Sequence, residues 1–590
     1  MIEDLWYKNA VIYSCDLESF MDGNGDGCGD FVGLNNRLDY LETLGVDVLW
    51  LEPFHPSPLK DNGYDVADYY GVHPRYGSLG DFVEFVHQAK KRGIRVIMDL
   101  VVNHTSDKHP WFQHARRDRQ SPLRNWYVWA DKRPKAWNEG MVFPGVQKQT
   151  WSRDEKSGDY YFHRFYPHQP DLNIDNPEVR TEIRRIIGFW VQLGVHGFRL
   201  DALPFVISAL PDENGSVEPG QHFEYLEEMR SFLQWRMGDA IFLGEANVPP
   251  GDTAPYFGEG RGIHLMFNFW VNQHLFLSLA RHDAEPLKKA LEQTRDIPTS
   301  SQWAQFLRNH DELDLGRLSE EERADVFARF GPEERMQIYG RGLRRRLGPM
   351  LGGEAQSRLA YSLLFSLPGT PVIRYGDEIG MGDDLSLPER EAVRTPMQWA
   401  ADHNGGFSTA PRRKLVHPVL RDGPWGYPHI NVDSQRRSPD SMLQWMGKMI
   451  RLRKECPEIG WGEFQLLEGT APQVLLLLFT WRGSSVLTIH NLDDTRREVT
   501  FRLPDGTAGD DAPLFDLMEQ EELRPSHAQG PDDRRYSLAL EGYAFKWYRV
   551  GTLNYALART PETPPEMQHA RGEGHPKPKP KPKRKKKKRG

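Results

Sequence analysis

Up to about residue 380 the chain alternates short unbroken apolar runs with stretches whose apolar positions recur every three to four residues. The runs are Val11 to Tyr13, Val48 to Leu51, Ile94 to Leu100, Phe198 to Leu200, Ile241 to Leu243, Leu265 to Phe267, Ala304 to Leu307 and Pro371 to Tyr375. Each has the length and composition of a strand. None alternates apolar with polar residues, so these are strands covered on both faces, as in a parallel sheet with helices around it. Eight such units predict an α/β fold of the (β/α)8 TIM-barrel type, with the chemistry just after the strands.

Interruptions of the pattern mark attachments. The third and fourth runs stand about a hundred residues apart, which predicts a lobe inserted at 105–175 between barrel segments 1–104 and 176–460. A second insertion, roughly 311–355, carries helix-like stretches from Ser319 to Arg329 and from Tyr339 to Leu347, placed to cap the barrel mouth. From 464 to 550 the helical period gives way to strand-like Val474 to Trp481, Val486 to His490, Glu498 to Leu503 and Tyr536 to Arg549, which predict a C-terminal antiparallel β-sandwich. Residues 560–590, with Lys-Pro alternation and a Lys/Arg block, cannot bury a core and read as a disordered basic tail.

Charge and composition narrow the class. Ten basic residues lie between Lys577 and Arg589, and without them 65 basic residues face 83 acidic ones: an acidic body with a basic end. That end offers weak, salt-sensitive contacts to anionic polymers. Three scattered cysteines, Cys15, Cys28 and Cys456, argue against a disulfide framework and for the reducing cytoplasm. The longest apolar run, Val474 to Phe479, is far short of the ~20 residues of a membrane span, so no membrane insertion is expected. Monomer and homo-oligomer are both open.

Three carboxylates fall at three strand ends: Asp201 in GFRLDA, Glu245 in FLGEAN and Asp311 in RNHDE. One carboxylate after a strand is usually a helix cap; three converging at a barrel mouth suit glycosidic chemistry. Retention of configuration requires a nucleophilic carboxylate and a protonated carboxyl about 5 to 5.5 Å away, which Asp201 and Glu245 can supply. Arg199, two residues before Asp201 on the same strand, faces the same side and is expected to lower the Asp201 pKa.

Taken together, Asp99-Leu-Val-Val-Asn103-His104, Gly197-Phe-Arg199-Leu-Asp201-Ala202, Gly244-Glu245-Ala246-Asn247 and Arg308-Asn309-His310-Asp311 resemble, in order and position, the signature regions of the α-amylase family, glycoside hydrolase family 13. Supporting segments are Gly63-Tyr64-Asp65, Gln169 to Asn173 and Gly376 to Met381. The resemblance implies that Asp201 is the nucleophile, Glu245 the acid/base and Asp311 a third carboxylate on the sugar's 2- and 3-hydroxyls. It further implies that His104 and His310 bind the glucosyl unit, that Tyr64 stacks beneath it, and that an Asp65–Arg394 pair closes the far end of its subsite.

The stretch Asp22, Asn24, Asp26, Cys28 (through its carbonyl) and Asp30 spaces oxygen ligands as in a calcium loop, with glycine at position six but Gly33 in place of the closing glutamate. Related glucosidases carry this loop, so a structural calcium is expected, and the family pattern adds Asn103 and Asp171 as ligands of a second ion. No organic cofactor is implied. Over about residues 4–550 the chain is most similar to the family branch that interconverts maltose and trehalose, which implies transglucosylation within a small α-glucoside and some hydrolysis to glucose. Ser14 to Phe20, Met266 to Gln273 and Leu385 to Ala392 depart from that branch, so an exo-acting α-glucosidase, or transfer to another acceptor, is the alternative.

Overall fold

The computed structural model describes residues 3–143, 145–212, 214–216, 221–507, 512–526 and 535–551. The basic tail lies outside them. All eight apolar runs are strands: β1 Ile12–Cys15, β2 Val48–Leu51, β3 Arg95–Leu100, β4 Gly197–Leu200, β5 Ile241–Gly244, β6 Leu265–Phe267, β7 Gln302–Phe306 and β8 Thr370–Arg374. Each pairs in parallel with its neighbour in the chain, and β8 pairs with β1, Ile12 opposite Val372, to close the barrel.

Period two sorts these strands without a polar face. Ile12, Val48, Ile97, Ile241, Leu265, Ala304 and Val372 fill the barrel interior, while Tyr13, Leu49, Met98, Phe198, Phe242 and Met266 pack outward against the helices. The same parity turns Trp50, Asp99 and Arg199 inward at the mouth, where Arg199 donates to Asp99 and lies 5.5 Å from the Trp50 ring centroid.

Between β3 and β4 the inserted lobe builds a small sheet from Trp129–Ala130, Tyr160–Phe162 and Trp151–Arg153. A bridge from His104 to Asp171 and the Leu172 amide donating to the Asn103 carbonyl at 2.8 Å tie it to the barrel. In the second insertion Glu320–Phe330 is helical, opened by a Ser319/Glu322 capping box. The stretch from Tyr339 is not: it forms a hairpin with Gly342–Leu343 paired to Gln337–Ile338 and Leu313–Asp314. The positive φ of Tyr339 (56°) and Gly340 (66°) turns the chain there before a helix can start.

The C-terminal region is a six-stranded antiparallel sheet facing a two-stranded one. The segment from Tyr536 to Arg549 is two strands rather than one. Tyr536–Leu540 pairs with Arg497–Phe501, and Phe545–Val550 pairs with Ser484–Asn491, because the chain reverses at Tyr543 (φ 60°). Trp547, fully buried, fixes this unit to the barrel by donating to Ser362 Oγ at 2.9 Å. Among the described residues no helix is long and apolar enough to cross a membrane.

Candidate active site

Turns after β2, β3, β4, β5, β7 and β8 converge on one cavity of about 720 Å³. Tyr64, His104, Asp201, Glu245, His310, Asp311 and Arg394 all line it, and Arg199 is buried behind the carboxylates. The Arg199 guanidinium reaches Asp99 Oδ1 at 2.7 Å, Asp201 Oδ1 at 2.6 Å and Glu245 Oε2 at 2.6 Å. One rigid fork therefore sets the spacing of three carboxylates. Glu245 Oε2 also accepts from the Ala202 amide at 3.0 Å. Ala202 is held at φ 49° between Asp201 and the short helix from Leu203, a conformation disfavoured for alanine and typical of functional turns.

The electrostatics differ from the sequence expectation at Asp201. Arg199 does pull its pKa down, but burial is the larger effect, and Glu245, Asp99 and Asp311 add to it, so Asp201 is held well above the usual carboxylate range. Burial likewise raises Asp99 to about 6. Asp311 goes the opposite way: Arg390, His310 and Arg394 outweigh its burial and hold it well below the usual range.

Tyr64 lies flat against His310, with rings 5.5 Å apart and 17° from parallel. Its hydroxyl donates to Asp99 Oδ2 at 3.2 Å and shares a 2.9 Å hydrogen bond with His310 Nε2. The tyrosine hydroxyl thus links Asp99 to His310. The His310 Nδ1, buried without a hydrogen bond, faces Glu52 Oε1 at 3.8 Å. Burial lifts Glu52 to about 8. His104 Nε2 lies 3.0 Å from the Tyr64 carbonyl and Nδ1 3.3 Å from Asn103 Nδ2.

The expected Asp65–Arg394 pair does not form. Asp65 is fully buried and turned inward, accepting from Ser57 Oγ and from the amides of Lys60 and Asp61. The carboxylate that lines the cavity there is Asp61, held by Gln169 Nε2 at 2.8 Å under the positive field of Arg390 and Arg394. Arg394 donates to the His310 carbonyl and to Asp311 Oδ1.

Sequence reasoning also passed over Arg390. Its Nη1 meets Asp311 Oδ1 at 2.9 Å and its Nε donates to Glu312 Oε2 at 2.8 Å. Its guanidinium packs over Phe143 and Tyr339, 5.3 and 5.6 Å from their ring centroids. Phe143 comes from the inserted lobe and Tyr339 from the second insertion, so three separate loops meet over the cavity.

In the loop near the N-terminus Asp22 and Asp30 are both buried and both accept the Asn24 amide, at 3.1 and 3.2 Å. Burial, with Asp22 beside it, lifts Asp30 above its ordinary value. Neither has an ion pair among the described residues. Asn24 and Asp26 side chains cap the next turns of the loop, Asn24 accepting from the Asp26 amide and Asp26 from the Cys28 amide. Paired carboxylates without a basic neighbour, in a loop of oxygen donors, fit a hard divalent cation. Asn103 hydrogen-bonds Asp171, which burial raises to about 7 and whose Oδ1 accepts from the Arg164 amide. His282, Asp493 and Asp494 also bring ligand atoms within 4.8 Å of one another, but Arg497 already pairs with Asp493.

Comparisons with known proteins show the family of the fold. The alpha-amylase catalytic-domain model matches residues 12–329 and 344–462. A trehalose synthase of Thermus thermophilus is 43% identical over 560 residues, 94% of this chain; the chain spans 56% of that protein's length. A trehalose synthase of Pimelobacter sp. (strain R48) is 40% identical over 568 residues, covering 93% of this chain and 96% of that protein. A solved structure of the trehalulose synthase MutB in complex with Tris superposes with a TM-score of 0.72 at 27% identity, covering 92% of this chain and all of the other. With the closed barrel, the carboxylates at its mouth and a family match over most of the barrel, the chain belongs to the α-amylase family of glycoside hydrolases.

Proposed function

We infer that the protein interconverts maltose and trehalose by retaining transglucosylation, with glucose as the product of leakage. The observation that carries this is Arg199 gripping Asp201 and Glu245 at once. A single guanidinium holds them close together, which suits the retaining spacing of about 5 to 5.5 Å better than the ~6.5 to 9.5 Å of an inverting pair.

In this reading Asp201 attacks the anomeric carbon while Glu245 gives its proton to the departing glycosidic oxygen. A glucosyl ester then forms on Asp201, and Glu245 is left ionised. The freed glucose turns over in the pocket, Glu245 takes the proton from its anomeric hydroxyl, and that oxygen displaces Asp201. The pair needs one proton between two carboxyls, and Arg199, which meets both at 2.6 Å, balances the negative charge that the pair keeps. Asp311, kept ionised by Arg390 and Arg394, stabilises the oxocarbenium-like transition state. The Arg390, Phe143 and Tyr339 contact supports retention of the glucose, since water reaching the ester yields hydrolysis.

The donor sugar is assigned to the end bounded by Tyr64, Asp61 and Arg394. A calcium ion held by Asp22, Asn24, Asp26, the Cys28 carbonyl and Asp30 would fasten the loop after β1. The three cysteines are free and buried, which supports a reducing compartment such as the cytoplasm. Incubation with maltose, and separately with trehalose, with product chromatography and Asp201→Ala as control, tests the reading. Interconversion with little glucose supports it; glucose as sole product replaces it with an exo-acting α-glucosidase.

A further inference from the structure

Beyond Glu245 the cavity runs to a part of its wall built from the loops after β5 and β7 and from the helix Glu320–Phe330. Asn247, Asp314, Arg317, Arg323 and Arg341 line it there. Three guanidiniums thus share that wall with one carboxylate. Asp314 is already engaged, accepting from Asn247 Nδ2 at 2.9 Å and from the Gly316 amide at 2.8 Å, with Arg341 Nε at 3.6 Å. Arg317 is steered by two contacts, its amide donating to Gln273 Oε1 at 2.9 Å and its guanidinium to the Asn247 carbonyl. Neither contact neutralises its charge. The Arg323 side chain has no ion pair or hydrogen bond among the described residues, and its neighbour Glu322 is occupied with the Ser319 cap.

An arginine without a partner on open surface is ordinarily just solvated. These line the same concavity as the catalytic carboxylates, Arg317 exposed and Arg323 and Arg341 half-buried, and their positive field acts on whatever enters. A neutral disaccharide has no group that uses that charge. Glu245, as acid/base, must face the leaving sugar, so this wall belongs to the acceptor end; that placement rests on the function proposed above. Two guanidiniums without carboxylate partners, Arg317 on a loop tied to Gln273 and Asn247 and Arg323 on the helix Glu320–Phe330, match a phosphomonoester, which takes forked charge-assisted hydrogen bonds on several oxygens.

We propose that the acceptor end of the pocket is a phosphosugar site: a hexose bearing a phosphate binds there more tightly than the hexose itself and competes with the trapped glucose. The phosphate is read by Arg317 and Arg323, with Arg341 behind them.

Calorimetric titration of the full chain with glucose, glucose 6-phosphate and inorganic phosphate tests this without turnover, so loss of maltose–trehalose conversion would count against the functional reading alone. The expected result is glucose 6-phosphate binding about tenfold more tightly than glucose, an advantage shrinking severalfold between about 0.05 and 0.5 M salt. Arg323→Gln and Arg317→Gln should each cut the advantage to roughly twofold, and Arg323→Lys should keep part of it. Equal binding of the two sugars, an advantage unchanged in both glutamine variants, or inorganic phosphate binding as tightly as glucose 6-phosphate would overturn the proposal.

Discussion

Arg390 and Asp311 meet at 2.9 Å across the roof of the cavity, so the residue that packs against Phe143 and Tyr339 from above also sets the charge of a carboxylate below. Arg390→Ala should therefore raise the share of maltose converted to glucose several-fold and slow trehalose formation about 10- to 100-fold. Arg390→Lys should recover part of the rate but little of the seal, lacking the planar fork. Product ratios at early times decide; an unchanged ratio in the alanine variant would show that Arg390 does not close the pocket.

Asp61 and Asp65 should separate cleanly. Asp61→Asn alters the cavity wall and is expected to raise KM for maltose about tenfold with little change in melting temperature. Asp65→Asn weakens a buried turn and should lower stability by about 1–3 kcal/mol with KM nearly unchanged. Steady-state kinetics beside thermal unfolding reads both, and the reverse pattern would restore Asp65 to the subsite.

That reversal marks where sequence reasoning ran out. Both aspartates flank Tyr64 within a few residues, and nothing in spacing says which side chain the turn sends outward. The barrel strands, by contrast, were legible because Val48 to Leu51 or Ile94 to Leu100 have no polar face to hide. Arg199 was legible through its parity with Asp201, although its pull on that carboxyl was overestimated because burial cannot be read from spacing. Arg390 left no trace: an arginine in an irregular loop has no period, and its partners come from loops about 50 and 250 residues away. The turn at Tyr543 was missed for a related reason, since apolar residues continue through it while the backbone reverses.

Glu52 gives a pH signature. Its folded pKa is raised from 4.5 to about 8, so its contribution to stability is complete below about 4.5 and is lost as pH rises through about 8. The groups facing it are Ser14, Asp16, Asp99, His310, Arg374 and Arg394. Glu52→Gln, neutral at every pH, should gain on the parent as pH rises from 5 to 8.5, by up to about 1.4 kcal/mol per pH unit. Unfolding midpoints measured across that range check this, and parallel curves would refute it.

Chelation should reveal the loop at Asp22 to Asp30. Removing divalent cations is expected to lower stability by roughly 2–4 kcal/mol, with calcium restoring it. Asp30→Ala should be insensitive to both treatments. A chelator that leaves the parent protein's melting temperature unmoved would dispose of calcium here.

Because Arg390 holds the two neighbouring acids and two aromatic rings at once, the fate of the glucosyl ester and the rate of its formation are not independent quantities. A change that loosens the seal also lets Asp311 drift from its ionised state, so a leakier variant is also a slower one. Commitment to the disaccharide and speed are therefore expected to fall together along any series of substitutions around this arginine, and a variant that is fast but wasteful would have to be built at some other point of the wall.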